Sequence, residues 1–245
     1  VHQALVASGD RVVSLMPTYQ QHTAIPRSLG AEVVEVPLRA ADGWRPDLDA
    51  LAAAVTPGTR LVALTNPNNQ TGAPIRRDGL ERIAAIADAA GAYLMCDEVY
   101  RGTEAAGGVT PSVADLYGRG ISTCGMSKAF SLAGLRFGWV VGPAGVLDAV
   151  SHHRDYSTIS VGRIDDHLAT LALQSADRLW SRARALTATN RAILSDWVAA
   201  TPGVTWVAPE AGTVALLDYG LPVGSRDLCL RQLRTPSVRA AAKRP

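Results

Sequence analysis

Lys128 is one of two lysines in a chain of 245 residues, the other being Lys243. It follows the strand-like run GISTCGMS (120–127) and precedes AFSLAGL, which puts it at the carboxyl end of a strand. A lysine amine in such a place can condense with an aldehyde and, once displaced, shuttle a proton. Three more segments end a predicted strand or line a loop while carrying polar groups that an apolar core would reject. TNPNNQTG (65–72) carries Asn69, CDEVYRG (96–102) carries Asp97 and Tyr100, and GLRFGW (134–139) carries Arg136. Arg136 sits between Leu135 and Phe137, so its forked guanidinium points to an internal anionic partner. Taken singly, each has an ordinary structural use: a surface lysine, an Asx turn, a strand-end Asp, a half-buried Tyr, a surface ion pair. Tyr19, in the loop PTYQ, could equally close an edge of the core.

Taken in order, the four segments resemble the signature of class I/II aminotransferases, the fold-type I enzymes dependent on pyridoxal 5'-phosphate (PLP). The resemblance covers roughly residues 1–219 and implies a role for each residue. Lys128 is the lysine that forms the aldimine. Asp97 pairs with the pyridinium nitrogen and keeps the ring an electron sink. Asn69 and Tyr100 hydrogen-bond the phenolic oxygen, Tyr19 stacks on the pyridine face, and Arg136 clamps the phosphate. Two departures stand out. The family usually has Pro after this Asn, where this chain has Gln70. Many relatives have a phosphate-binding Ser three residues before the lysine, where Gly125 stands here; Ser127 is the candidate substitute. The implied reaction moves an amino group from an α-amino acid to a 2-oxo acid, in a homodimer with sites at the subunit interface. The motif style is also similar to capreomycidine-synthase-like enzymes. A lyase, a cyclase of an arginine-derived substrate and a truncated, non-catalytic remnant therefore stay open.

The elements that must position these groups read as α/β. Strands are predicted at 9–16, 31–38, 58–69, 92–100, 120–127 and 137–143, with an amphipathic helix at 79–92 closed by Gly91. Short apolar strands alternating with helices imply a mostly parallel sheet buried on both sides, with ligands beyond the carboxyl ends of its strands. Residues 144–200 read as helical, and 201–219 as strand, turn and strand. This gives a PLP-binding large domain at 1–185, a partial small α+β domain at 186–233 and an irregular tail at 234–245.

Composition excludes several other classes. A net charge of +2, 47% hydrophobic residues and a mean hydropathy of +0.08 are those of an ordinary globular chain with no nucleic-acid footprint. No run of about 18 apolar residues suggests a membrane span. Three cysteines without a C-x-x-C pair point to a reducing, cytoplasmic compartment. Neither G-x-G-x-x-G nor G-x-x-x-x-G-K-[ST] occurs, which removes a nucleotide-binding Rossmann reading. His152-His153 lacks a third ligand at metal spacing. Asp165-Asp166 reads as a helix start. The chain begins inside a helical pattern, past the glycine-rich phosphate turn of the resembled enzymes, and offers no counterpart of their C-terminal carboxylate-binding Arg; Arg239 and Arg244 stand in the tail.

Overall fold

The computed structural model describes residues 1–106 and 108–234; Arg239, Arg244 and most of the expected tail lie outside the described residues. Six strands form one sheet: β1 (Arg11–Met16), β2 (Glu32–Pro37), β3 (Thr59–Thr65), β4 (Tyr93–Asp97), β5 (Gly120–Gly125) and β6 (Gly138–Val141). Their order is β2-β1-β3-β4-β5-β6, parallel except for the antiparallel edge strand β6. All six were legible as apolar runs. β4 is shorter than the apolar run 92–100, because the chain turns after Asp97.

Alternation within the strands sends side chains to two cores. Val13, Leu15, Val62, Leu64, Leu94 and Cys96 face one. Val12, Leu61, Ala63 and Met95 face the other. The first is covered by α3 (Leu48–Ala54), α4 (Arg77–Ala89) and α5 (Val113–Leu116), the second by α1 (His2–Leu5) and α6 (Ala144–Asp155). α4 buries Leu80, Ile83, Ala84 and Ala87 on one stripe, and Gly91 ends it at φ 65°. α3 starts at Asp47, whose carboxylate accepts from the amides of Asp49 and Ala50. α3 and α2 (Gln21–Ser28) are short, and α2 contains Pro26, so neither gave a long periodic signal.

Beyond β6, α7 (Arg163–Gln174) and α8 (Ala176–Ala200) are two helices joined at Ser175. Asp165 and Asp166 lie in the first turn of α7, where acids suit the helix dipole. The strand-turn-strand is a two-residue pair, β7 (Thr205–Trp206) with β8 (Leu217–Asp218), followed by α9 (Ser225–Arg234). Segment 209–213 returns to the large sheet. Ala211 N donates to Gly72 O at 2.9 Å, and Gly212 N donates to Thr103 Oγ1 at 2.8 Å.

Candidate active site

The strand order reverses between β1 and β3, so the chain leaves their carboxyl ends in opposite directions and opens a crevice there. Tyr19 follows β1, and the asparagine loop follows β3. That loop holds three asparagines, two of which are committed. Asn66 donates to Ile75 O at 3.0 Å and accepts from Ile75 N at 2.7 Å. Asn68 Oδ1 accepts from Gln70 N, Thr71 N and Thr71 Oγ1, while its Nδ2 donates to Pro17 O at 2.8 Å. Asn69 is half-buried, and among the described residues its side chain makes no hydrogen bond.

β4 ends with Asp97 at the floor of a cavity of about 310 Å³, shared with Tyr19, His22, His2 and Thr123. Val99 N donates to Asp97 Oδ1 at 3.1 Å. Burial pushes the Asp97 carboxyl up to about 6 against that bond; Glu98 adds to the rise and the positive charge of Lys128 opposes it. Glu98 turns the other way and is consumed structurally by Ser112 Oγ and Val113 N, both at 2.9 Å. Tyr100 is fully buried rather than half-buried. Its hydroxyl interacts with Thr213, and burial raises its ionisation above the ordinary tyrosine value. Tyr19 keeps 41% of its surface exposed on the cavity.

β5 delivers the lysine. Met126, Ala129 and Phe130 are buried against Trp139 and Trp180, so the turn is anchored on both sides of an outward-facing Lys128. Met126 N donates to Phe137 O at 3.0 Å and Ala129 N to Val99 O at 3.3 Å, the second tying the lysine turn to the Asp97 segment. Ser127 is half-buried. Arg136 is exposed, contrary to what its apolar neighbours suggested. Its backbone is left-handed (φ 50°), so Leu135 and Phe137 pack inward while the guanidinium turns out and donates to Ala133 O at 2.9 Å.

Two histidines in this cavity gave no recognisable sequence signal. His2 and His22 are buried, their rings meet edge to face at 5.7 Å between centroids, and none of their four ring nitrogens has a hydrogen-bond partner. Burial lowers both to about 4, so both rings are neutral at pH 7. Burial disfavours the thiolate of the two thiols nearest the sheet, raising Cys96 far above its ordinary value and Cys124 to about 12. Among the described residues no cluster of three or more His, Cys, Asp or Glu could hold a metal, and no helix is long and apolar enough to cross a membrane. His152 and His153 are exposed at the end of α6.

A mostly parallel sheet with lysine, acid, amide and aromatic groups gathered at its carboxyl edge defines the class, the fold-type I architecture. Residues 1–222 match the family described as aminotransferase class I and II, and the chain belongs to it. It is 30% identical over 230 residues to capreomycidine synthase of Streptomyces vinaceus, covering 94% of this chain and 59% of that protein. A PLP-dependent aminotransferase from Streptococcus suis superposes with a TM-score of 0.88 at 38% identity, covering 95% of this chain and 62% of the other. The PLP-dependent cyclase OrfR superposes with a TM-score of 0.85 at 33% identity, covering 94% and 63%. The chain therefore spans less than two thirds of the length of these relatives.

Proposed function

We propose that this chain carries the Lys128-centred half of a PLP-dependent aminotransferase that moves an amino group from an α-amino acid to a 2-oxo acid. The observation that carries the reading is positional. The Asp97 carboxyl is buried at the end of β4, Ala129 N bonds Val99 O to tie the Lys128 turn to the Asp97 segment, and Asn69, with no side-chain hydrogen bond among the described residues, stands in the loop after the neighbouring strand β3. These groups fit the cofactor: an acid for a pyridinium, a free amide and a phenol for its oxygen, and an amine for its aldehyde.

When bound, the cofactor supplies an electron-withdrawing ring that makes the substrate α-proton removable. The chain's own residues do the rest. Asp97 holds a proton at the ring nitrogen, and its burial strengthens that pairing. Asn69 Nδ2 and the Tyr100 hydroxyl orient the phenolic oxygen, and the Tyr19 ring covers one face of the pyridine. Arg136 and Ser127 are the groups for the phosphate, Arg136 needing to swing its guanidinium from Ala133 O. Lys128 Nζ takes the α-proton and returns it. The exposed apolar stretch Tyr156, Ile159, Val161 and Ile164 supports a second copy as partner.

A cyclase acting on an arginine-derived substrate is the second reading, favoured by the likeness to capreomycidine synthase and OrfR. An absorption spectrum of the chain with PLP, beside Lys128→Ala, tests the cofactor site. A new visible band is expected, abolished by borohydride with the reduced cofactor left on Lys128, and absent in the variant. No band in the wild type overturns the reading in favour of a non-catalytic remnant. Product analysis with paired amino and 2-oxo acids then separates transfer from cyclisation.

A further inference from the structure

Gln70 stands where the resembled family usually has Pro, and the structure gives it contacts a proline cannot make. Its backbone N–H donates to Asn68 Oδ1 at 3.1 Å, inside the asparagine loop. Its side-chain Nε2 donates to Thr18 O at 2.7 Å, across the crevice between the ends of β1 and β3. Asn68 makes the neighbouring bridge to Pro17 O at 2.8 Å, and the Thr18 and Thr65 hydroxyls meet at 3.3 Å. Two consecutive carbonyls just before Tyr19 are thus held by two residues that flank Asn69. The Gln70 Oε1 atom is buried and has no partner, so the amide is anchored through its nitrogen alone.

We propose that Gln70 is a positioning residue: it replaces ring stiffness with a cross-crevice tether that sets Asn69 and Tyr19 at a fixed separation. A proline stiffens only its own loop, by locking φ. The Gln70 amide couples two loops, so that the hydrogen-bonding group and the stacking ring of the cofactor site move together. This rests on the proposed PLP reading for its consequence, but not for the tether itself.

The test compares the wild type with Gln70→Met, which keeps bulk and loses the donor, and Gln70→Pro, which restores the family residue. Hydrogen exchange in the cofactor-free protein is expected to quicken at residues 17–22 and 68–72 in both variants, with the melting of the rest of the sheet unchanged. With PLP, the dissociation constant is expected to rise about fivefold in Gln70→Met, because the loosened loops must then be ordered on binding. The pH midpoint of the visible band is expected to move with it. Gln70→Pro is expected to be no better, because it loses both bonds. Unchanged exchange at 17–22 in Gln70→Met overturns the tether whatever PLP does. Wild-type affinity and midpoint in Gln70→Pro overturn its positioning role. A wild type that takes no PLP overturns the cofactor reading, while the exchange result still decides the tether.

Discussion

Gly125 and Gly138 face each other across the antiparallel pair of β5 and β6, where a side chain would be tight at Gly125 and would force a shift at Gly138. A Cβ on Gly138 would lie 2.8 Å from Cys124 O, and one on Gly125 would lie 3.0 Å from Phe137 O. Gly125 is the position where many relatives carry a phosphate-binding Ser. Here the close approach of the two strands accounts for the glycine.

Gly138→Ala is therefore expected to destabilise the protein by about 1–3 kcal/mol, because the atom it meets is backbone and the strands must part. Urea unfolding checks this. Gly125→Ser should cost less and should not tighten PLP binding; a gain in both stability and affinity would show that the edge strand has slack.

Asp97 trades stability for its place. Its carboxyl is raised to about 6, so the favourable folded-state proton is fully held below pH 3.8 and is lost as pH rises through about 6. At pH 7.5 the cofactor-free wild type carries a buried charge worth about 3 kcal/mol against the fold. Asp97→Asn should melt higher than wild type at pH 7.5, with the difference vanishing below pH 4. The same change should lower turnover at least about a hundredfold. Equal melting curves at pH 7.5 would refute the buried charge.

The His2–His22 pair acts in the opposite direction. Both are lowered from 6.5 to about 4, so their contribution is full above pH 6.5 and is lost as pH falls through about 4. Over pH 4–6 the histidines tilt stability downward on acidification, against the opposite tilt of the raised Asp97 and Glu98 carboxyls. His22→Phe should lessen the downward tilt in urea titrations, and an unchanged slope would contradict the neutral, buried pair.

Two of the links that tie segment 209–213 to the large domain involve side chains of unlike burial, and they should differ in worth. Thr103 Oγ1 donates to Tyr100 O at 2.6 Å and accepts from Gly212 N at 2.8 Å, all buried. Thr103→Val should cost about 1–3 kcal/mol by orphaning the Gly212 amide. The Arg76–Glu210 pair at 2.7 Å is half in solvent on both sides, and Glu210→Gln should change stability by under about 1 kcal/mol. Melting temperatures of the two variants separate these outcomes.

Local pattern was enough for the sheet and for the family the chain belongs to. Short apolar runs mark the strands, and Asp97 could be placed at a strand end and Lys128 and Asn69 in the loops that follow because where a strand stops is a local event. Helices α2 and α3 escaped because two turns give too little periodicity. What the linear order could not supply was pairing between residues far apart in the chain. Only the folded crevice shows that Asn66 and Asn68 are spent and Asn69 is free. Only strand pairing explains Gly125 through Phe137. The left-handed turn at Arg136, which leaves its guanidinium exposed, was not announced by its apolar neighbours, because backbone φ is set by the folded turn. The contacts of Gln70 with Thr18 and of His2 with His22 join elements that come together only when β1 and β3 lie side by side. Burial and long-range contact are properties of the packed sheet, and they decide which of the legible residues are left available for chemistry.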